Sequence, residues 1–274
     1  MGRDPWEIAR PTGMTALRGV DMAGFAYRGD AALDLRVIPH PAVTVAIEFG
    51  ADAYDIHDAT GRSWSGSVAA GLLPSAMGAR VQKLECVQIR LSPLVAPAVL
   101  GVPLAQMTGS VVALDDLWGR EAARLRERLH HAPSWPARFA LVHAALSRQL
   151  MGDRAVDPEV AQAWRRIAAA RGQVRLGDLA ASIGWSRQRL WSRFAAQLGP
   201  TPKGAAMLVR FDHAIHRLAS GDAPARVAAE SGYADQSHLH RDVRAFTGAT
   251  PRASAGDPWL AVDDRAWPTR VDAI

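Results

Sequence analysis

The segment Arg226 to Pro251, RVAAESGYADQSHLHRDVRAFTGATP, leaves little conformational choice. Val227, Ala228 and Ser231 share one side of a short helix. Gly232 stops that helix, because glycine accepts a left-handed backbone at little cost. Asp235 is a good N-cap for a second helix. Leu239, Val243 and Phe246 then fall on one face at helical spacing. Ser237, Arg241, Arg244 and Ala245 lie opposite them, flanked by Gln236, His238 and His240. Gly248 and Pro251 are read as ending the unit. A short helix that locks one side of a second helix, whose other side is polar and basic, is the physical specification of a helix-turn-helix. An ordinary helical hairpin with a solvated face has the same spacing.

The arrangement occurs twice. Upstream, Leu176, Leu179, Ala180 and Ile183 follow the i, i+3, i+4, i+7 pattern, Gly184 makes the turn and Ser186 caps the next helix. Leu190, Phe194 and Leu198 face inward in that helix. Gln188, Ser192 and Ala196 point away, with Arg189 and Trp191 flanking, and Gly199, Pro200 and Pro202 end it. The two candidate recognition helices start about 49 residues apart. Lys203 to Ser220 is expected to join them as one helix of roughly 18 residues, spanning about 27 Å. Successive major grooves on one face of B-DNA lie about 34 Å apart, so a tethered pair can address neighbouring grooves.

Charge supports the same segment. Residues 155–255 hold 14 Lys+Arg against 8 Asp+Glu, net +6, while residues 1–154 are net +1 and 256–274 are net −2. Excess positive charge is what phosphate binding needs, although a solvated basic face looks the same.

The run GYADQSHLHRDVRAFTGATP resembles the second helix-turn-helix of AraC/XylS-type transcription regulators, and residues of about 155–255 are similar to their tandem domain over its full length. VALDDLWGREAARLRERLHHAPSWPARFALVHAAL is similar to the region joining sensor to DNA domain in one branch of that family, which often carries a cupin-like β domain at its N-terminus. The resemblance implies base-edge contacts from Gln188, Trp191 and Ser192 in the first unit and from Gln236, Ser237 and Arg241 in the second. Arg suits guanine and Gln suits adenine. Arg187, Arg189, Arg193, His240 and Arg244 suit phosphate contacts, which position without specifying. Two departures stand out. Val243 occupies a place where the family usually has a large aromatic, which would loosen the second unit. Trp191 is bulky for a base-facing position.

Before the tandem units the texture differs. Residues 1–30 read as loop or weak strand. LDLRVIPHPAVTVAIEFG reads as two strands about a proline turn, and Ser63–Leu73 and Val81–Leu91 as further strands, with Pro74 and Gly78 between them. Short strands with frequent turns suggest a small antiparallel sandwich or barrel. Helical patterns come next: a short one near Leu94, then Leu117, Ala122, Leu125 and Leu129, then Ala137–Met151 with Phe139, Val142, Leu146 and Leu150 on one stripe. These stripes either complete the sheet's core or form a dimer seam.

The expected class is α+β, with a β-rich sensor or oligomerisation domain over 1–152 (helical hairpin 116–151), a DNA-binding domain over 155–255 (units 175–199 and 225–248) and a tail over 256–274. Trp259 and Trp267 suggest that the tail docks. The single cysteine, Cys86, excludes a disulfide framework and a Cys-rich zinc site, and suits a small core residue. His40 and His57 belong to no visible cluster of the kind a metal needs. Adjacent His130 and His131 cannot point at one spot. No phosphate loop or nucleophile elbow is present. No apolar run of about 18 residues or more and no signal-peptide core is seen. The expectation is a non-enzymatic cytoplasmic, nucleoid-associated regulator without cofactor or metal. Its partners would be double-stranded operator DNA, a small-molecule effector, a second copy through the N-terminal domain or helices 116–151, and RNA polymerase, with no membrane. The alternatives are a ligand- or partner-binding protein whose helical domain is an interaction module, and an enzyme housed in the β domain.

Overall fold

The computed structural model describes residues 4–50, 54–151 and 155–267. Among the described residues there are ten strands: β1 (Trp6–Ala9), β2 (Val20–Tyr27), β3 (Leu33–Val37), β4 (Val43–Glu48), β5 (Asp55–His57), β6 (Ser63–Ser65), β7 (Val68–Ala70), β8 (Met77–Val81), β9 (Leu84–Leu91) and β10 (Val111–Ala113). They form two antiparallel sheets, ordered β1-β2-β9-β4-β7-β10 and β3-β8-β5-β6. Phe25, Ala46, Val68 and Cys86 of the larger sheet meet Leu35, Met77, Ala79 and Val81 of the smaller one in a single buried cluster. This is the expected small β sandwich.

The larger sheet is buried on both faces. Val43, Val45, Ile47, Val87, Ile89 and Leu91 turn away from the smaller sheet, into a second core. Helices supply the cover: α1 (Ala96–Leu100), then, after a 3-10 turn over Leu104–Met107, α2 (Leu114–Trp118), α3 (Arg120–His131) and α4 (Trp135–Gln149). Leu125 and Leu129 of α3 and Phe139, Val142 and Leu146 of α4 all join that core. The stripes thus complete the core of the β domain, the first of their two readings.

Several strand expectations are also corrected. Residues 20–27 form an eight-residue inner strand, paired with β1 on one side and along its whole length with β9 on the other. Ala23, Gly24 and Ala26 hid it, since small residues give little apolar alternation. Gly24 is required here: a Cβ would sit 2.3 Å from the Trp135 ring on α4. The stretch Ser63–Leu73 divides at Gly66, whose φ of 79° turns the chain from β6 in one sheet to β7 in the other. The strands flanking the proline turn, β3 and β4, likewise go to different sheets. Gly78, expected between strands, lies within β8 opposite His57.

The remaining chain is helical: α5 (Pro158–Ala169), α6 (Leu176–Ser182), α7 (Arg187–Leu198), α8 (Pro202–Ala219), α9 (Pro224–Glu230), α10 (Gln236–Thr247), α11 (Pro251–Ala255) and α12 (Pro258–Ala266). The connecting helix α8 has the expected 18 residues. Pro251 starts a helix instead of ending the unit, because Thr250 caps α11 and a proline fits the first turn. Ile38 and Leu72, from loops of the β domain, insert into the core of this helical domain.

The tail docks. Trp259 lies 5.6 Å (ring centroids) from both Trp6 and Phe25, and Trp267 stacks under the Arg90 guanidinium at 4.5 Å. Residues 258–267 therefore pack on the sandwich through these rings, while Leu260 stays in the core of the helical domain. The remaining seven residues of the 256–274 tail lie outside the described residues, as do 152–154 at the expected domain boundary.

Candidate nucleic-acid interface

Two helix pairs, α6–α7 and α9–α10, are built by the same local rules. Ser186 accepts a hydrogen bond from the Arg189 N–H, and Asp235 accepts one from the His238 N–H at 2.7 Å, satisfying donors that a helix start leaves free. Gly184 and Gly232 both adopt positive φ, 70° and 73°, in the turns. The inward faces are sealed: Leu190, Phe194 and Leu198 are at most 2% exposed, and Leu239 and Val243 are fully buried. Val243 is fully buried, and Phe246 on the same face stacks on Phe211 of α8 at 4.5 Å.

Every side chain expected to read bases is on the surface. Gln188, Trp191 and Ser192 of α7 and Gln236, Ser237 and Arg241 of α10 are exposed. Trp191 is 41% exposed, one of two large hydrophobic side chains so placed among the described residues. It is not tucked against a neighbouring helix. Gln236 and His240 touch through Nε2 atoms 3.3 Å apart, one turn apart on the same face.

The expected phosphate contacts are exposed too, but they are not equivalent. His240 and Arg244 are exposed on α10. Arg189 stacks on Trp185 at 4.6 Å, and Arg187 reaches back over Gly177, where a Cβ would meet its guanidinium at 2.6 Å. Arg193 donates to Asp157 at the start of α5 at 2.6 Å, and this bond holds the Asp157 carboxyl below its ordinary range. Arg193 therefore ties α7 to α5 in the isolated protein.

A support for α10 was not legible in the sequence. Arg210 on α8 donates to Asp242 at 2.8 Å, both being largely buried, and its guanidinium lies 4.5 Å from the Tyr233 ring centroid in the turn. Burial pushes the Tyr233 hydroxyl up to about 12. Arg210 and Asp242 are 32 residues apart, so no local pattern joins them.

Between the two sheets lies a cavity of about 90 Å³, lined by apolar side chains including Phe25, Leu35, Ala79, Cys86 and Trp259, with His40, Gln88 and Arg90 as polar groups. Cys86 is buried, and burial pushes its thiol far above the ordinary range. The loop after β7 borders the cavity through Gly71 and Leu73, and Met77 at the start of β8 lines it too. In that loop the Ala76 N–H donates to the carbonyl of Phe246, near the end of α10, at 2.6 Å.

A family model described as a helix-turn-helix domain, HTH_18, matches residues 179–255, from within α6 to the end of α11. The C-terminal domain is an AraC-type helix-turn-helix domain. The chain is similar to the uncharacterized HTH-type transcriptional regulator YbfI of Bacillus subtilis, 36% identical over 66 residues. That match covers 24% of this chain and 24% of YbfI, so the chain aligns with about a quarter of its curated relative. Among solved structures, ToxT of Vibrio cholerae is similar at TM-score 0.49 and 10% identity, over 87% of this chain and 98% of that one. The AraC-like transcriptional activator CuxR is similar at TM-score 0.28 and 13% identity, over 86% and 90%.

Proposed function

We propose that this chain is a sequence-specific, double-stranded DNA-binding transcription regulator, and that its AraC-type domain reads two neighbouring major grooves. The observation that carries this reading is the pairing of two capped helices on an 18-residue connector, with all six base-reading candidates exposed. Gln188, Trp191 and Ser192 would read one half-element, and Gln236, Ser237 and Arg241 the other. Arg187, Arg189, His240 and Arg244 would position the helices on phosphates. Arg193 would join them only by leaving Asp157.

The second part of the proposal concerns the β domain, residues 1–152, as a sensor. Its cavity suits a small, mainly apolar effector, since buried apolar surface drives such binding and a few polar groups fix orientation. The loop through Gly71 and Ala76 touches both the cavity and α10. An effector that favours one loop position would thereby favour one placement of the second unit. This is all that effector control requires. Among the described residues no helix is long and apolar enough to cross a membrane.

Selection of binding sites from random duplex DNA, repeated across salt concentrations, tests the reading. The expected result is an enriched motif with two half-elements about one helical turn apart, with affinity falling steeply as salt rises. Salt-sensitive binding without any enriched motif would overturn it.

A further inference from the structure

Where the β domain, the connecting helix and the tail meet, three elements far apart in sequence bring imidazoles and carboxylates together. His40 comes from the β3–β4 turn, Asp212 and His216 from α8, and Asp263 from α12. His40, His216 and Asp263 are all buried, and each places one ligand atom within 4.8 Å of the others.

The hydrogen bonds around these groups leave ring nitrogens available to a ligand. His40 Nδ1 lies 2.8 Å from an Asp212 carboxylate oxygen, so Nδ1–H is the donor, and in the neutral ring Nε2 carries the lone pair. His40 Nε2 then faces Asp263 Oδ2 at 3.7 Å, too far for a hydrogen bond, and has no hydrogen-bond partner. Arg90 donates to the other oxygen of Asp263. Neither ring nitrogen of His216 makes an aligned hydrogen bond, although Asp264 lies 3.0 Å from its Nδ1 and Asp212 lies 3.6 Å from its Nε2. The His40 and His216 rings are parallel, 8° apart, with centroids 6.0 Å from each other. Burying a polar nitrogen without a hydrogen bond costs free energy, and here two neighbouring rings both bear that cost.

From this arrangement we infer that His40, His216 and Asp263 form a binding site for a divalent transition-metal ion of the zinc class. Two imidazoles and one carboxylate are the donor set that such ions prefer over calcium or magnesium. Donors about 2 Å from an ion sit roughly 3.3 Å from one another, so the site must contract slightly on binding. Asp212 plays the outer part, its carboxylate fixing the tautomer and orientation of His40. The bound ion would staple the β domain and the tail to α8, the helix that spaces the two recognition units. The site does not depend on the DNA-binding reading, and no motif shows it, because its members are separated by up to 223 positions in the sequence.

The test is titration of the metal-free full-length chain with Zn²⁺ against a chromophoric chelator, alongside its thermal melt. One tightly bound equivalent and a raised Tm are expected. His40→Asn retains an N–H where Nδ1 donates to Asp212 but removes the Nε2 ligand. It should weaken binding by at least about 30-fold and abolish the Tm shift, as should His216→Gln, whereas Asp212→Asn should cost about 10–100-fold. His131→Gln, an exposed control, should bind as the wild type. Wild-type binding no tighter than that of His40→Asn would overturn the site. If the histidine variants fail to fold, Zn²⁺ titration of the wild type followed by ¹⁵N resonances of its histidine rings decides the matter. Shifts confined to two buried imidazoles support the site, and shifts at the exposed histidines alone overturn it.

Discussion

The two helix-turn-helix units share a plan but are held in place differently. In the first unit, α7 is tied outward by Arg193 and Asp157, whose side chains are 53% and 32% exposed. In the second, α10 is tied inward by Arg210 and Asp242, 16% and 10% exposed, with Tyr233 beneath the guanidinium. The turns differ as well, with one residue between glycine and cap in the first unit and two in the second. Exposed ion pairs contribute little because water and salt screen them. A buried pair is costly to break because the surviving charge is stranded. The second unit is thus the more rigidly seated, and it is also the one hydrogen-bonded through Phe246 to the loop beside the cavity. Under the proposed effector control, such seating would pass a small loop movement to the whole recognition helix.

The sharpest way to break this comparison is to remove the inward tie. Asp242→Ala should destabilise the protein by about 3 kcal/mol, read by urea unfolding, because it leaves Arg210 buried without its carboxylate. A loss under about 1 kcal/mol would mean that water reaches Arg210, and the two ties would then be alike.

A change on the outer face separates recognition from support. Arg241→Ala should leave the melting temperature unchanged and cost about 1–3 kcal/mol of binding to the selected site, with relaxed base choice at one position. Equal weakening on all sequences would make Arg241 a phosphate contact. Caps come next in size. Ser186→Ala and Asp235→Ala should each lower stability by about 1 kcal/mol. Equal losses would show that the difference between the units lies in their ties and not in their local folding.

How much of this was legible depends on the range of the forces. Helix period, caps and stop glycines act over a few residues, so Ser186, Asp235, Gly184 and Gly232 could be placed from sequence, and the surface residues came with the period. Strands were harder. β2 carries Gly24 because Trp135 of α4 lies against it, and that reason lies more than 100 residues away. Gly66 reads as a weak strand residue, yet it is the point where the chain changes sheets. The Arg210–Asp242 tie and the His40, His216 and Asp263 group exist only after folding, so a search for nearby histidines passed over His40. The family resemblance did not extend to the tail, whose docking on the sandwich depends on Trp259 and Trp267 meeting Trp6, Phe25 and Arg90.

The smallest expected effect tests the outward tie. Asp157→Ala should cost no more than about 1 kcal/mol at neutral pH, since the pair is largely solvated. The sign of its pH dependence is fixed by Arg193, which lowers the Asp157 pKa in the folded protein from the ordinary 3.8. A depressed carboxyl stabilises the fold above its unfolded pKa, and that contribution disappears as pH falls through the folded value. The gap between wild type and Asp157→Ala should therefore be constant from pH 7 down to about 5 and close below the ordinary 3.8. On DNA the variant frees Arg193. If Arg193 is a phosphate contact held in reserve, Asp157→Ala should bind operator more tightly and with a steeper salt dependence, by about one extra phosphate. An unchanged salt slope would assign Arg193 to the support of α7 alone.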